Sequence, residues 1–307
     1  MSIMAPISAI TRGSLHDGKG VRTVVYLKGC NLRCRWCHNP ETWQSTPDLL
    51  FAPQRCIGCG RCVEICPQQH VVSNGKMHLL REGCTVCGSC AQVCPTGALS
   101  LRGAMQDVRS VFEQVKRDTI YYQATGGGVT ISGGECLLYP EFMQSLLQLC
   151  READIDTAVE TALHVPIQNV MQVAPWTQWI FADLKIADDS RHRLYTGSTN
   201  KQILQNLQWL THNHDRVTVR IPVIPGVNDS EADLTLFAEI LSAPGPGLIG
   251  VELLPYNVLG EAKYKLMGKM WESFATQSQT PEQMTALCHR LQAKLPPNIP
   301  VFCRAYP

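Results

Sequence analysis

The stretch "KGCNLRCRWCHNP", Lys28 to Pro40, sets Cys30, Cys34 and Cys37 in a C-x3-C-x2-C array. Three thiolates this close suit a metal centre, yet a closed four-coordinate site needs four protein ligands. The run just before it, "VRTVVYL" from Val21, is β-branched and apolar and reads as a buried strand. The cysteines therefore stand on the loop that leaves the C-terminal end of a strand. Where the other strand ends lie, and what they carry, decides the fold.

Working outward, short β-branched runs alternate with helical patterns. "VRTVVYL" finds its helix, "VRSVFEQV" with Val108, Val111, Phe112 and Val115 on one face, only after a long interruption. "GVTIS" from Gly128 precedes Phe142, Leu146, Leu149 and Cys150 at helical spacing, and "DTAVE" from Asp156 precedes "PIQNVMQVA". "WIFADLK" from Trp179 precedes a helix faced by Ile203, Leu207 and Leu210, and "VTVRIPVI" from Val217 precedes "SEADLTLFAEIL". "LIGVELLPY" from Leu248 precedes a last helix opened by Thr280-Pro281-Glu282-Gln283, a capping box with proline at its first position. Alternating β and α imply a parallel sheet with right-handed crossovers. Six such units fall short of a closed eight-fold barrel, so the expected fold is α/β, a partial (β/α)6 TIM-like barrel. A doubly wound open sheet is the alternative. The barrel is favoured because distinctive polar residues follow each strand, where barrels place their sites: the cysteines, Ser132 to Glu135, Glu160-Thr161, Asp183-Leu184-Lys185, Arg220 with Pro225-Gly226, and Pro255-Tyr256-Asn257.

The interruption is a repeat. "CIGCGRCVEICP" and "CTVCGSCAQVCP" share C-x2-C-x2-C-x3-C-P, and one offset relates Cys56 to Cys84, Cys59 to Cys87, Cys62 to Cys90 and Cys66 to Cys94. In such runs three thiolates wrap one cluster and the fourth, before proline, completes the other. This assigns Cys56, Cys59, Cys62 and Cys94 to one [4Fe-4S] cluster and Cys84, Cys87, Cys90 and Cys66 to a second. Two zinc sites are the alternative, although zinc takes separated C-x2-C knuckles. Asn74-Gly75 signals a hairpin between the halves. Residues 50–102 thus read as a bacterial-type two-cluster ferredoxin inserted into a host domain formed by 1–49 and 103–307.

The chain has 307 residues, 45% of them apolar, and a formal net charge of +1 with pI near 7.5. No basic stripe points to nucleic acid or an acidic membrane surface. No apolar run suits a signal peptide or a spanning helix. Of fifteen cysteines, eleven fall between Cys30 and Cys94, which reads as metal ligation in a reducing cytoplasm rather than a disulfide framework. Cys150, Cys288 and Cys303 read as packing residues, Cys136 as a non-catalytic neighbour of the strand ends, and His16, His164 and His192 as satisfied or solvated side chains. Tyr121 and Tyr122 read as packing on the strand that enters the rim.

A [4Fe-4S] cube held by three thiolates keeps one iron free for a small chelator; a fourth ligand from His38 or a remote cysteine is the alternative. The loop resembles the C-x3-C-x-aromatic-C signature of the radical S-adenosylmethionine (SAM) superfamily, with Trp36 as the aromatic. "HDGKGVRTVVYLKGCNLRCRWCHNPE", "GGGVTISGGE", "FADLK", "VRIPVIPGVND" and "LLPYNVLGEAKYKLMG" together resemble the glycyl-radical-enzyme activating enzymes, from about Leu15 to Gly268. Members with two extra clusters carry them at the position of this insert. The resemblance implies three [4Fe-4S] clusters, with Cys30, Cys34 and Cys37 holding the catalytic one, and SAM chelating its free iron.

It further implies that Trp36, Cys37 and His38 lie against the adenine, and that Gly133, Gly134 and Glu135 approach the methionyl amine. Glu160 takes the place of a carboxylate on the ribose, Asp183, Leu184 and Lys185 that of a D-x-K element near the SAM carboxylate, and Asn257 that of a histidine beside the cofactor. Asp17 and Arg220 match positions near the substrate peptide. Lys19 departs from the usual proline of D-G-P-G. The implied reaction is one-electron cleavage of the SAM S–C5′ bond to methionine and a 5′-deoxyadenosyl radical, which takes a hydrogen atom from a glycine α-carbon of a partner glycyl radical enzyme. Alternative pyruvate formate-lyases and lyases or dehydratases of small alcohols, amines or sulfonates are the implied partners. A flavodoxin or ferredoxin is the implied electron donor, and the protein is expected to be an anaerobic, cytoplasmic monomer. The rival readings are a radical SAM enzyme acting on a small molecule and a ferredoxin-type electron carrier.

Overall fold

The structure, a computed structural model, describes residues 2–66, 71–73, 76–258 and 260–303. Its strands are β1 (Met4–Ser14), β2 (Arg22–Leu27), β3 (Asp48–Phe51), β4 (Val71–Ser73), β5 (Lys76–His78), β6 (Leu99–Arg102), β7 (Ala104–Asp107), β8 (Gly128–Gly133), β9 (Asp156–Thr161), β10 (Trp179–Asp183), β11 (Val217–Pro222), β12 (Leu248–Leu254) and β13 (Val301–Cys303). Among the described residues the main sheet has nine strands in the order β13-β12-β11-β10-β9-β8-β2-β1-β7.

The six expected strands, β2 and β8 to β12, are parallel and lie side by side in chain order. A doubly wound sheet reverses its order at a switch point. This one never reverses, so the chain winds one way as a partial barrel with two free edges. Val25, Val129, Ile131, Val159, Val219 and Val251 are all but inaccessible in the core, as strands covered on both faces require. β13 extends one edge in parallel, while β1 and β7 extend the other antiparallel.

Among the described residues, the helices include the six that periodicity placed and five others that it did not. They are, in order, α1 (Arg61–Ile65), α2 (Ser89–Gln92), α3 (Val108–Lys116), α4 (Thr119–Thr125), α5 (Pro140–Glu152), α6 (Ile167–Val173), α7 (Asp189–Thr196), α8 (Lys201–Asn213), α9 (Glu231–Leu241), α10 (Gly260–Met267) and α11 (Pro281–Gln292). α3 starts where the Asp107 carboxylate accepts from Arg109 N and Ser110 N, and it buries Val108, Val111, Phe112 and Val115. α11 carries the full Thr280–Gln283 capping box. One local expectation fails in part. Tyr121 and Tyr122 belong to helix α4; Tyr121 is exposed, whereas Tyr122 is buried in the main core, its hydroxyl donating to Val115 O at 3.0 Å.

The insert is rooted on an antiparallel pair, β3 with β6. α1 and α2 each follow a left-handed glycine, Gly60 and Gly88, so the sequence repeat is also a backbone repeat. β4 and β5 pair antiparallel, and the Asn74-Gly75 turn between them lies outside the described residues. Lys28, with a fully buried side chain, donates to Asp48 at 2.7 Å and to Glu41 O, tying the barrel loop to the insert's root. Arg81 bonds Leu49 O and Leu266 O, both at 2.9 Å, and so ties the insert to α10.

Candidate active site

The loop after β2 is closed at its base by Gly29 N to Thr42 O (2.7 Å) and Cys30 N to Trp43 O (3.1 Å). Its outer arm fastens to the end of α7, where Arg33 N donates to Thr196 O (2.7 Å) and Arg35 N to Tyr195 O (3.0 Å). These carbonyls have no partner inside their own helix, so the loop amides satisfy them. Trp36 is buried against Tyr195 and Phe274, with ring centres 6.2 and 6.0 Å away. Beside the loop, β8 ends in Gly133-Gly134. A Cβ on Gly134 would stand 2.2 Å from Gly29 O, so only glycine allows this approach.

The loop and the strand ends enclose an open chamber of about 230 Å³. It is lined by Cys30, Cys34, Trp36, Cys37 and His38 from the loop, and by Gly133, Gly134, Glu160, Asp183, Lys185 and Arg220 from the strand ends. Four other candidates do not line it. Leu184 points into the main core, because alternate residues of an extended segment face opposite ways. Asn257 supplies a backbone hydrogen bond to His38. Asp17 lies under the rim, its carbonyl accepting from Thr130 Oγ1 at 2.6 Å and its carboxylate from Ser14 Oγ. The Glu135 carboxylate is turned inward and fully buried. It accepts from Thr161 Oγ1 (2.8 Å), Ala162 N (2.9 Å) and Leu137 N (3.1 Å), and burial still pushes its pKa up to about 7. Glu135 thus braces β8 against the end of β9, and only its main chain stays near the loop.

Charge in the chamber is paired. Lys185 Nζ meets Asp183 at 2.7 Å. Burial opposes the Lys185 charge, yet Asp183 and the Cys34 thiol hold its pKa above the ordinary lysine value. Glu160 accepts from Ser132 Oγ at 2.7 Å and from Arg220, whose Nε also donates to Glu252 at 2.6 Å. Burial raises the Glu160 pKa, against the pull of Arg220. His38 is lowered to about 4, by burial and then by Lys185 and Lys263, so its imidazole is neutral near pH 7. Ser132 and Thr161 stood among the strand-end residues without a role of their own, and Glu252 was not a candidate from sequence, since a mid-strand carboxylate carries no motif.

The insert's cysteines fall into two groups by proximity. Cys56, Cys59, Cys62 and Cys94 surround one small pocket. Burial raises Cys90 to about 11, and the next-largest cause is the nearby Cys66 thiol, with Cys84 and Cys87 adding to it. Of the remaining cysteines, Cys136, Cys150 and Cys288 are buried. His192 is buried with Nδ1 bonded to Ser198 O at 2.6 Å, and His164 is partly exposed; each keeps one buried ring nitrogen without a hydrogen-bond partner, and neither lines the chamber.

Three family models match overlapping parts of the chain. The radical SAM superfamily matches residues 81–238, a 4Fe-4S dicluster domain 55–98 and a 4Fe-4S single cluster domain 16–69. The choline trimethylamine-lyase activating enzyme of Oleidesulfovibrio alaskensis is 40% identical over 87% of this chain and 88% of its own. The chain belongs to the glycyl-radical-enzyme activating enzymes of the radical SAM superfamily. The (2S)-3-sulfopropanediol dehydratase activating enzyme of Klebsiella oxytoca is also 40% identical, covering 84% of each chain. A radical SAM methyltransferase from Sphaerobacter thermophilus shares the fold, with a TM-score of 0.54 at 15% identity over 99% of this chain and 77% of its own.

The residues of this activating enzyme fit the iron–sulfur and SAM chemistry of its family. Three thiols open on one chamber, and burial pushes Cys30 up to about 11 and Cys34 to about 12. Metal binding therefore has protons to displace there. Two polar groups that line the chamber, Arg220 Nη2 and His38 Nε2, are buried without a hydrogen-bond partner, as suits a cavity made for a polar ligand.

Proposed function

We propose that Cys30, Cys34 and Cys37 hold a [4Fe-4S] cluster, that SAM sits in the chamber, and that the hydrogen is taken from a glycine loop of a partner glycyl radical enzyme. The observation that carries this reading is the meeting of those thiols with Gly133-Gly134, Glu160 and the Asp183–Lys185 pair in one chamber. When bound, the cluster and SAM supply one electron and the hydrogen-abstracting radical. The protein's own part is positioning. Lys185 offers its ammonium to a carboxylate, Glu160 is an acceptor for ribose hydroxyls, and Gly133-Gly134 bring main chain without side chains to the chamber wall beside the cysteine loop. Neutral His38 and Trp36 flank the adenine, and Asp17 and Arg220 are assigned to the peptide by their motif positions, Arg220 from the chamber wall and Asp17 from below the rim. The open edges of the sheet leave room for that loop.

The relatives act with choline trimethylamine-lyase and (2S)-3-sulfopropanediol dehydratase, so a lyase or dehydratase of a small alcohol, amine or sulfonate is the partner class. The test is anaerobic incubation of reconstituted, reduced protein and SAM with candidate partners. A doublet EPR signal with stoichiometric 5′-deoxyadenosine is the expected outcome. Cleavage without any partner radical would instead favour a small-molecule substrate.

Residues 50–102 are read as a separate two-cluster domain, giving three clusters in all; we infer that it relays electrons from a flavodoxin or ferredoxin to the catalytic cluster, the alternative being that it mainly forms a docking surface. The protein is read as a monomer of the anaerobic cytoplasm; among the described residues no helix is long and apolar enough to cross a membrane. Substituting Cys62 and Cys90 by serine tests the relay. Single-turnover SAM cleavage in pre-reduced protein is expected to persist, and turnover driven by flavodoxin to fall more than about tenfold. Loss of both in folded protein contradicts a relay.

A further inference from the structure

The catalytic-cluster loop has one aromatic residue that none of the assigned roles uses. Trp43 lies just past the loop, and its carbonyl accepts from Cys30 N at 3.1 Å while its own N–H donates to Pro40 O at 3.2 Å. Its indole N–H faces the Cys37 sulfur closely enough to oppose the rise that burial gives that thiol. The ring is fixed edge-on to Tyr264, with centres 5.8 Å apart at 84°, and Tyr264 is fixed in turn by Trp271 at 4.8 Å. Two cations lie over the indole, Lys269 with Nζ 4.8 Å and Arg33 with Cζ 5.7 Å from the ring centre. Both belong to a basic group with Lys28 and Arg81 at the seam between barrel and insert.

We propose that Trp43, with Lys269 and Arg33 over its ring, is a positioning residue that raises the reduction potential of the cluster held by Cys30, Cys34 and Cys37. The inference rests on the three-thiolate reading above. Reduction adds a negative charge, and an N–H donor to a ligand sulfur stabilises the more negative state; cations close by act in the same sense. The arrangement is fixed before any electron arrives, because neighbours on both sides hold the indole. It also faces the seam through which electrons from the insert would enter.

A merely structural Trp43 predicts no such shift; phenylalanine keeps an aromatic ring beside Tyr264 and deletes the pyrrole with its N–H, and Lys269→Met tests the cation separately. The experiment is an EPR-monitored redox titration of reconstituted holoenzyme, following the signal that responds to SAM. Trp43→Phe is expected to lower that midpoint so that reduction becomes about tenfold less favourable, which is about 59 mV for a one-electron couple. Lys269→Met, on an exposed stem, is expected to lower it in the same direction by less. Unchanged or raised midpoints at full iron content overturn the inference while leaving the proposed function standing. If Trp43→Phe loses the catalytic cluster, Lys269→Met decides: a lowered midpoint supports the inference and an unchanged one overturns it. A wild-type protein with no SAM-responsive signal overturns the functional reading, and this inference with it.

Discussion

Replacing Cys34 by alanine is expected to remove about a third of the iron and to abolish SAM cleavage, with the fold and the insert intact. Cys34 is the middle thiol of the three and the most enclosed. It packs in a small apolar cluster with Leu32, Trp36, Ala162 and Ile186, none of which can replace the lost ligand. Two remaining thiolates do not hold a cube against solvent, whereas the eight insert cysteines are untouched and keep about two thirds of the iron. Stability is expected to change by no more than about 1–2 kcal/mol, because the side chain lost is small. The rate of 5′-deoxyadenosine formation is expected to fall more than about a thousandfold, or about 4 kcal/mol of barrier. Iron analysis, circular dichroism and product assay on one preparation check all three expectations. Full iron with undiminished cleavage would show that another side chain supplies the ligand.

The sequence reads well where local pattern and contact coincide. The parallel strands are continuous apolar runs, so β2 and β8 to β12 could be seen. The insert repeats itself, so the grouping of Cys62 with Cys94 followed from spacing alone. β1 is different. "MAPISAITRGS" carries a proline, a glycine and two register shifts against β2, which break the alternation that marks a half-buried strand. Antiparallel β1 and β7 therefore escaped notice, as did the three-residue β13.

Within the site, legibility stops at side-chain direction. Motif matching places Glu135 beside Gly134, and the main chain is there. The carboxylate turns away because Thr161 and Ala162, on the next strand end, offer donors that the local sequence does not reveal. Trp43 was hidden for the same reason, since its partners Tyr264 and Lys269 lie more than two hundred residues further on. Arg220 could be picked out as a charged strand residue. That it holds two carboxylates could not.

Arg220→Met is expected to destabilise the protein by about 3–5 kcal/mol, the usual cost of stripping one partner from a buried ion pair. The guanidinium is 4% exposed and stacks over Phe181 at 3.7 Å. It donates to Glu160 on β9 and to Glu252 on β12, so it links strands on both sides of its own position. Methionine replaces most of the apolar stem but none of the charge, leaving two carboxylates facing each other across the vacated position. The pH dependence identifies the cause. Burial already holds the folded pKa of Glu160 above the ordinary glutamate value, and Arg220 opposes that rise. Without the arginine the folded pKa climbs further, and a carboxyl raised in this way favours the folded state most below its unfolded pKa of about 4.5, losing that contribution as pH rises through the folded value. The deficit against wild type is therefore expected to be small near pH 5 and to widen towards pH 8, as urea unfolding at the two values would show. A deficit independent of pH would mean that lost packing over Phe181, rather than two uncompensated charges, is what the substitution exposes.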